Sequence, residues 1–187
     1  MQVMAKLLWS YMTPWLRKDI NVVTHVRETF ETSPFIAIHV RRGDKIQGRD
    51  IRFRHSNYLV EALSYLAQEP NGTTASDIKG IWVASDDAAV VGKVRCLAGA
   101  YFSSVRSEDI VFVDGGVPGG PVNSEVTTHS DIQGYGSFVY LLADLGRLAA
   151  ADVFVGTCSS NVGRLVMLLR DSLGKDKSSA ISLDLPW

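Results

Sequence analysis

The chain is poor in cysteine, with Cys96 and Cys158 its only two among 187 residues. Two thiols cannot make a disulfide framework, and both are expected to be buried in a core. Four histidines, His25, His39, His55 and His129, show no spacing that suits a metal ion, so no metal is expected. A surplus of positive charge is also missing: 19 Lys and Arg stand against 20 Asp and Glu, a net charge of −1. A general affinity for nucleic acid is not expected from such a balance. No apolar run approaches the length of a membrane span. The opening residues are apolar but broken by Lys6, Ser10 and Pro14, and they lack the pattern of a signal peptide. No G-x-G-x-x-G and no G-x-x-x-x-G-K-[ST] occurs, which argues against an ordinary dinucleotide dehydrogenase or a P-loop NTPase. There is no internal repeat. The length suits one well-buried domain and is short for two.

What is present is an alternation of apolar strands with amphipathic helices. A helical lead-in is expected over residues 1–33, with helical periods at 2–11 and 17–31. Ser33-Pro34 ends it, because the residue before proline is pushed out of the helical region. Residues 34–187 read as one domain. Strands are expected at 35–40, 80–84, 109–113, 152–156 and 180–183. Helices are expected at 57–68 with Ser56 as N-cap, at 88–97, at 135–151, and at 161–173 with Val162, Leu165, Val166 and Leu169 inward. Residues 117–134 read as a long loop. This order predicts an α/β fold, a Rossmann-like parallel sheet with helices on both faces.

The polar content concentrates at the strand ends. The first strand runs into Arg41-Arg42-Gly43-Asp44-Lys45, the second into Ser85-Asp86-Asp87, the third into Asp114-Gly115-Gly116, and the fourth into Thr157-Cys158-Ser159-Ser160-Asn161. Each cluster alone reads as caps and solvated loops. Four of them on one sheet edge read as a ligand site, since open α/β sheets bind ligands at the carboxyl ends of their strands. Arg41 and Arg42 would face opposite ways on a continuing strand, so one contacts the ligand and the other pairs with a carboxylate such as Asp44 or Asp86. An arginine fork and a helix N-terminus near Ser160 and Asn161 together suit a diphosphate without requiring a metal. Asp144 lies on or beside the apolar face of its helix, and a buried carboxylate needs a partner. It is either a salt-bridged or capping residue, or a carboxylate that accepts two N–H donors from guanine.

Three blocks carry a resemblance. They are Ile38-His39-Val40-Arg41-Arg42-Gly43-Asp44-Lys45, then Val83-Ala84-Ser85-Asp86-Asp87, then the run from Leu142-Ala143-Asp144-Leu145 through Val155-Gly156-Thr157-Cys158-Ser159-Ser160-Asn161-Val162-Gly163-Arg164. In that order they resemble the donor-binding half of the α-1,6-fucosyltransferases, over nearly the whole chain. The resemblance implies the second Rossmann-like domain of a GT-B glycosyltransferase. It implies inverting, metal-independent transfer of fucose from GDP-fucose to the core N-acetylglucosamine of an N-glycan, in the Golgi lumen, with no cofactor. No length remains for the family's preceding domain, membrane anchor or trailing domain. A GDP-sugar binding module that transfers nothing is the alternative.

Carried over by position, the resemblance gives Arg41 to the diphosphate and Arg42 to shaping the same site, with Asp44 beside them. Ser159, Ser160 and Asn161 would complete the phosphate contacts, with Asn161 standing where the family has glutamine. His39 and Asp144 would read guanine. Asp86 and Asp87 would support the arginines, and Lys45 would stabilise the departing charge. The family's general base is a glutamate shortly before a phenylalanine. Here Asp50 precedes Phe53, in a loop one residue longer on the arginine side. Tyr58 falls close to a family tyrosine near the donor, or else is a helix-surface aromatic.

Overall fold

The computed structural model describes residues 34–41, 55–68, 74–85, 88–102, 111–115 and 135–187. The expected helices at 2–11 and 17–31 and the long loop at 117–134 lie outside them. Within them runs a single alternation. Strand β1 is Phe35–Val40, helix α1 His55–Gln68, β2 Gly80–Ser85, α2 Ala88–Phe102 and β3 Val111–Gly115. It continues with α3 Tyr135–Ala150, β4 Val153–Gly156, α4 Asn161–Ser172, a short 3₁₀ turn Lys177–Ser179, and β5 Ala180–Ser182.

The strands form one five-stranded sheet in the order β3-β2-β1-β4-β5. Every pair is parallel. Parallel strands buried on both faces read as continuous apolar runs, and all six residues of β1 are buried. Alternate residues still face opposite ways. Ile36, Ile38, Val40, Ile81, Val83, Val153 and Val155 meet α1 and α2 on one face. Phe35, Ala37, Trp82, Ala84 and Phe154 meet α3 and α4 on the other. The α/β sheet covered on both sides is thus the fold that the sequence predicts.

Several boundaries differ from expectation for physical reasons. β3 lies two residues later than expected, because its pairing with β2 runs from Gly80 opposite Val111 to Ala84 opposite Gly115. The backbone of Asp114 is therefore inside the strand, opposite Val83, and not at its end. Helix α1 starts at His55, so Ser56 is a helical residue and not its cap. Helix α2 runs to Phe102, five residues past the expected end. Neither cysteine is buried: Cys96 is exposed and Cys158 half-buried.

Helix α4 shows the largest departure. Its buried residues are Gly163, Val166, Arg170 and Ser172, while Leu165 is exposed. Val162, Val166 and Leu169 face the core as expected, but Leu165 does not, and a glycine and a cation, Gly163 and Arg170, complete the inward side. Glycine is required because a Cβ at 163 would run into the Thr157 carbonyl and the Trp187 ring. Arg170 is 1% exposed. It donates to the Ala151 carbonyl at 2.7 Å, to the Ala149 carbonyl at 3.3 Å and to the Ser179 hydroxyl at 2.5 Å. One fork thereby ties the end of α3, the entry to β4 and the 3₁₀ turn. Burial pulls its pKa down to about 10, with Asp152, Tyr65 and Asp176 pulling back up, so it remains charged at neutral pH. Close by, Asp152 accepts the Phe35 N–H at 3.0 Å and pairs with Lys175 at 3.4 Å, which joins the starts of β1 and β4.

Removing the Arg170 fork leaves buried carbonyls without donors. Arg170→Ala is expected to lower stability by about 3 kcal/mol, read as a lower urea midpoint at unchanged slope. Arg170→Lys is expected to recover only part of the loss, because a point charge cannot serve three acceptors in fork geometry.

Candidate active site

The strand order reverses direction between β1 and β4, and α/β sheets hold ligands at the carboxyl ends on either side of such a reversal. β1 pairs with β4 from Ile36 opposite Val153 to Ile38 opposite Val155. Continued upward, this register brings the exit of β1 at Arg41 beside the turn that leaves β4 at Thr157. On the other side of β1, Ser85 at the end of β2 donates its hydroxyl to the Val40 carbonyl at 2.8 Å. The backbone that presents Arg41 is therefore held from the neighbouring strand.

The turn between β4 and α4 is built from three parts. Ser160 is the N-cap residue in extended geometry, and its side chain caps nothing. Its hydroxyl is buried, with the residue 5% exposed, and has no hydrogen-bond partner among the described residues. The first helical bond runs from the Arg164 N–H to the Ser160 carbonyl, so the N–H groups of Asn161, Val162 and Gly163 precede it. These donors and the positive end of the helix dipole suit an anion. The two N–H groups before Ser160 are different. Cys158 donates to Asp184 at 2.7 Å and Ser159 donates to the same carboxylate at 3.1 Å. Those two are satisfied from within the chain. Ser159 and Asn161 are exposed, and Arg164 bridges them, donating to the Ser159 carbonyl at 3.3 Å and to the Asn161 side-chain oxygen at 3.1 Å.

A second group lies on the sheet face covered by α3. His39 is buried, two residues beyond Ala37, and the pleat points it to the same face as Trp82. Asp144 of α3 is half-buried. Burial pushes its pKa up to about 7, offset in part by the nearby Trp82 indole. One turn on, the Arg147 guanidinium lies 5.7 Å from the centre of the Trp82 ring. A cation over an aromatic face is attractive, and more so when desolvated, as Arg147 is. The carboxyl that the sequence marks as odd in its helix thus lies in the same buried layer as the Trp82 indole.

Of the expected site residues, the structure brings Arg41 and Ser160 to one edge. It sets His39 and Asp144 on one face below it. Tyr58 is elsewhere: it is 4% exposed and packs in the core between the sheet and α1 and α2, across the sheet from His39. A surface position for this ring is thereby corrected. Arg42, Asp44, Lys45, Asp50, Asp86 and Asp87 lie outside the described residues. Three residues that sequence reasoning missed complete the picture. Trp82 and Arg147 give no signal beyond an aromatic in a strand and a charge one turn from Asp144. Asp184 follows the fifth strand, where the same strand-end reasoning applied to the other four would have found it.

An aspartate whose folded pKa is raised holds its proton longer in the folded than in the unfolded state. Below the unfolded value of 3.8 both states are protonated. As pH rises from there toward 7 the unfolded state alone ionises, and stability falls. Asp144→Asn removes that slope. The variant is expected to gain on the order of 2 kcal/mol relative to the parent between pH 4 and pH 8, measured by denaturant unfolding across that range.

A search among curated proteins finds no relative that matches the chain. A family model does match. It describes the N-terminal and catalytic domains of alpha-(1,6)-fucosyltransferases and covers residues 2–184. That span contains Arg41, the β4–α4 turn and Asp144, the features that the fold sets around the reversal in strand order. The chain belongs to the alpha-(1,6)-fucosyltransferase family and is a fucosyltransferase of the glycosyltransferase class.

Proposed function

We propose that the chain transfers fucose from GDP-fucose to the innermost N-acetylglucosamine of an N-glycan, forming an α-1,6 linkage with inversion and without a metal or other cofactor. The observation that carries the reading is the β1–β4 pairing, whose register directs the Arg41 backbone and the Ser160 turn to one carboxyl edge. A buried hydroxyl with no partner among the described residues, beside the first three N–H groups of α4, suits an anion. Arg41 across the reversal adds a fork of donors matched to phosphate oxygens. Together they supply the positive potential that a diphosphate leaving group needs.

Guanine is assigned to the face below. Its N1–H and N2–H donors would enter the Asp144 carboxylate in parallel, with His39 alongside. Asn161 would add its side-chain amide to the phosphate contacts, and Ser159 would flank them. In the transfer, the acceptor 6-hydroxyl loses its proton to a base, for which Asp50 is proposed. Its oxygen attacks C1 of fucose from the face opposite the phosphate. The bond from C1 to the diphosphate oxygen breaks, and GDP carries away the electron pair. Arg41, supported by Arg42, Asp44, Asp86 and Asp87, and Lys45 would offset the growing charge on that oxygen. The family setting favours the Golgi lumen as the place of action.

Arg41→Ala is expected to weaken GDP binding by on the order of a hundredfold in calorimetry. Unchanged affinity would remove the diphosphate assignment. Incubation of the parent chain with GDP-fucose and an N-glycan acceptor should release GDP in proportion to acceptor. Binding of GDP with no acceptor-dependent release would instead make the chain a GDP-sugar binding module.

A further inference from the structure

We propose that Asp184, at the end of β5, is a positioning residue for the donor diphosphate, fixing which donors of the β4–α4 turn face the ligand. The inference rests on the donor reading above and deepens it. It begins with a choice that the turn must make. Cys158, Ser159, Asn161, Val162 and Gly163 all have N–H groups near the carboxyl edge, and an anion could settle on the first pair or on the last three. Asp184 takes the first pair for itself, at 2.7 and 3.1 Å. An anion can then occupy only the outer set, beside the Ser160 hydroxyl.

The carboxylate is itself fixed. It accepts the Ser182 hydroxyl at 2.8 Å and the Leu185 N–H at 2.7 Å, and Ser182 also accepts the Cys158 N–H at 3.0 Å. Burial alone would raise its pKa. The hydrogen bonds from Ser159, Leu185, Ser182 and Cys158 together outweigh that and hold it down to about 2, so the group is charged at any working pH. The segment that carries it is anchored on both sides. Leu183 donates to the Gly156 carbonyl at 3.0 Å, and the Trp187 ring lies 5.9 Å from that of Phe154. Trp187 also fills the space over Gly163, where a side chain would collide with it. The last residues of the chain thus form a strap across the start of α4, with Asp184 as its contact to the turn. A negative group one step from the anion site also repels an anion that drifts inward, which sharpens the placement.

A merely structural residue would weaken all ligands or none, whereas a positioning residue for phosphate should spare the nucleoside. Asp184→Asn keeps the size, loses the charge and sets an amide N–H against one of the turn's own donors. With the full chain in calorimetry, it is expected to bind GDP on the order of tenfold more weakly and guanosine within about twofold of the parent. Ser182→Ala, which keeps the carboxylate and removes one of its supports, should show a smaller loss with the same restriction to GDP. It carries the test if circular dichroism shows Asp184→Asn unfolded. Equal loss for GDP and guanosine, or unchanged GDP affinity, in a folded variant overturns the inference while leaving the donor reading intact. A parent chain that shows no affinity for GDP overturns both.

Discussion

The pairing of β1 with β4 is the constraint on which the rest of the structure depends. These strands are far apart in sequence, and their contact is where the order of the sheet turns back on itself. Three residue pairs set the register. A slip by one residue would invert the faces of one strand relative to the other and change which residues of β4 share a face with His39. The chain fixes this pairing at both ends. Below, Asp152 ties the start of β4 to the Phe35 N–H, and Arg170 holds the approach to Asp152. Above, Ser85 holds the exit of β1 from its other neighbour. The position of Arg41 relative to Ser160 follows from this register.

The two edges of the sheet use buried charge in opposite ways. At the amino edge the charge is a cation, and it gathers carbonyl oxygens that the ends of α3 and β4 leave unpaired. At the carboxyl edge the charge is an anion, and it gathers N–H groups that the start of α4 leaves unpaired. Each meets the partial charge that backbone termini present at that edge. Arg170 is buried and Asp184 half-buried, and both make several such bonds, which offset the cost of desolvating them. The two edges differ in what remains open. At the amino edge the chain supplies the acceptors itself, while at the carboxyl edge the Ser160 hydroxyl has no partner among the described residues.

Much of the fold is legible because parallel strands leave a plain mark. Phe35-Ile36-Ala37-Ile38-His39-Val40 and Ile81-Trp82-Val83-Ala84 are apolar runs bounded by charge and glycine, and they could hardly be helices. Positions at the strand ends are legible for the same reason, which is why Arg41 and Ser160 stand out. What is not legible depends on distance in sequence. Nothing in the pattern of α4 shows that Arg170 points inward, because its acceptors are carbonyls, which every residue has. Nothing near Cys158 shows that a carboxylate 26 residues on takes its N–H. Asp144 lies between these cases. Its oddness is visible in the helix, but its neighbour Trp82 is a strand residue far away in sequence. Tyr58 misleads because an aromatic in a first helical turn reads as surface, and only the packing of α1 on the sheet buries it.

The hydrogen bond from Ser85 to the Val40 carbonyl has a kinetic side. It holds the peptide just before Arg41 to the neighbouring strand, so the backbone that carries the guanidinium is set in advance. The freedom lost on binding is then that of one side chain and not of a loop, a smaller entropic cost. A site arranged in advance at this point gains its affinity chiefly by slowing departure of the ligand rather than by hastening arrival. Under the proposed donor reading, donor and spent nucleotide share one diphosphate, and a tight hold at this edge would retain both. Release of the spent nucleotide, and not its capture, is the step that such an anchor would govern.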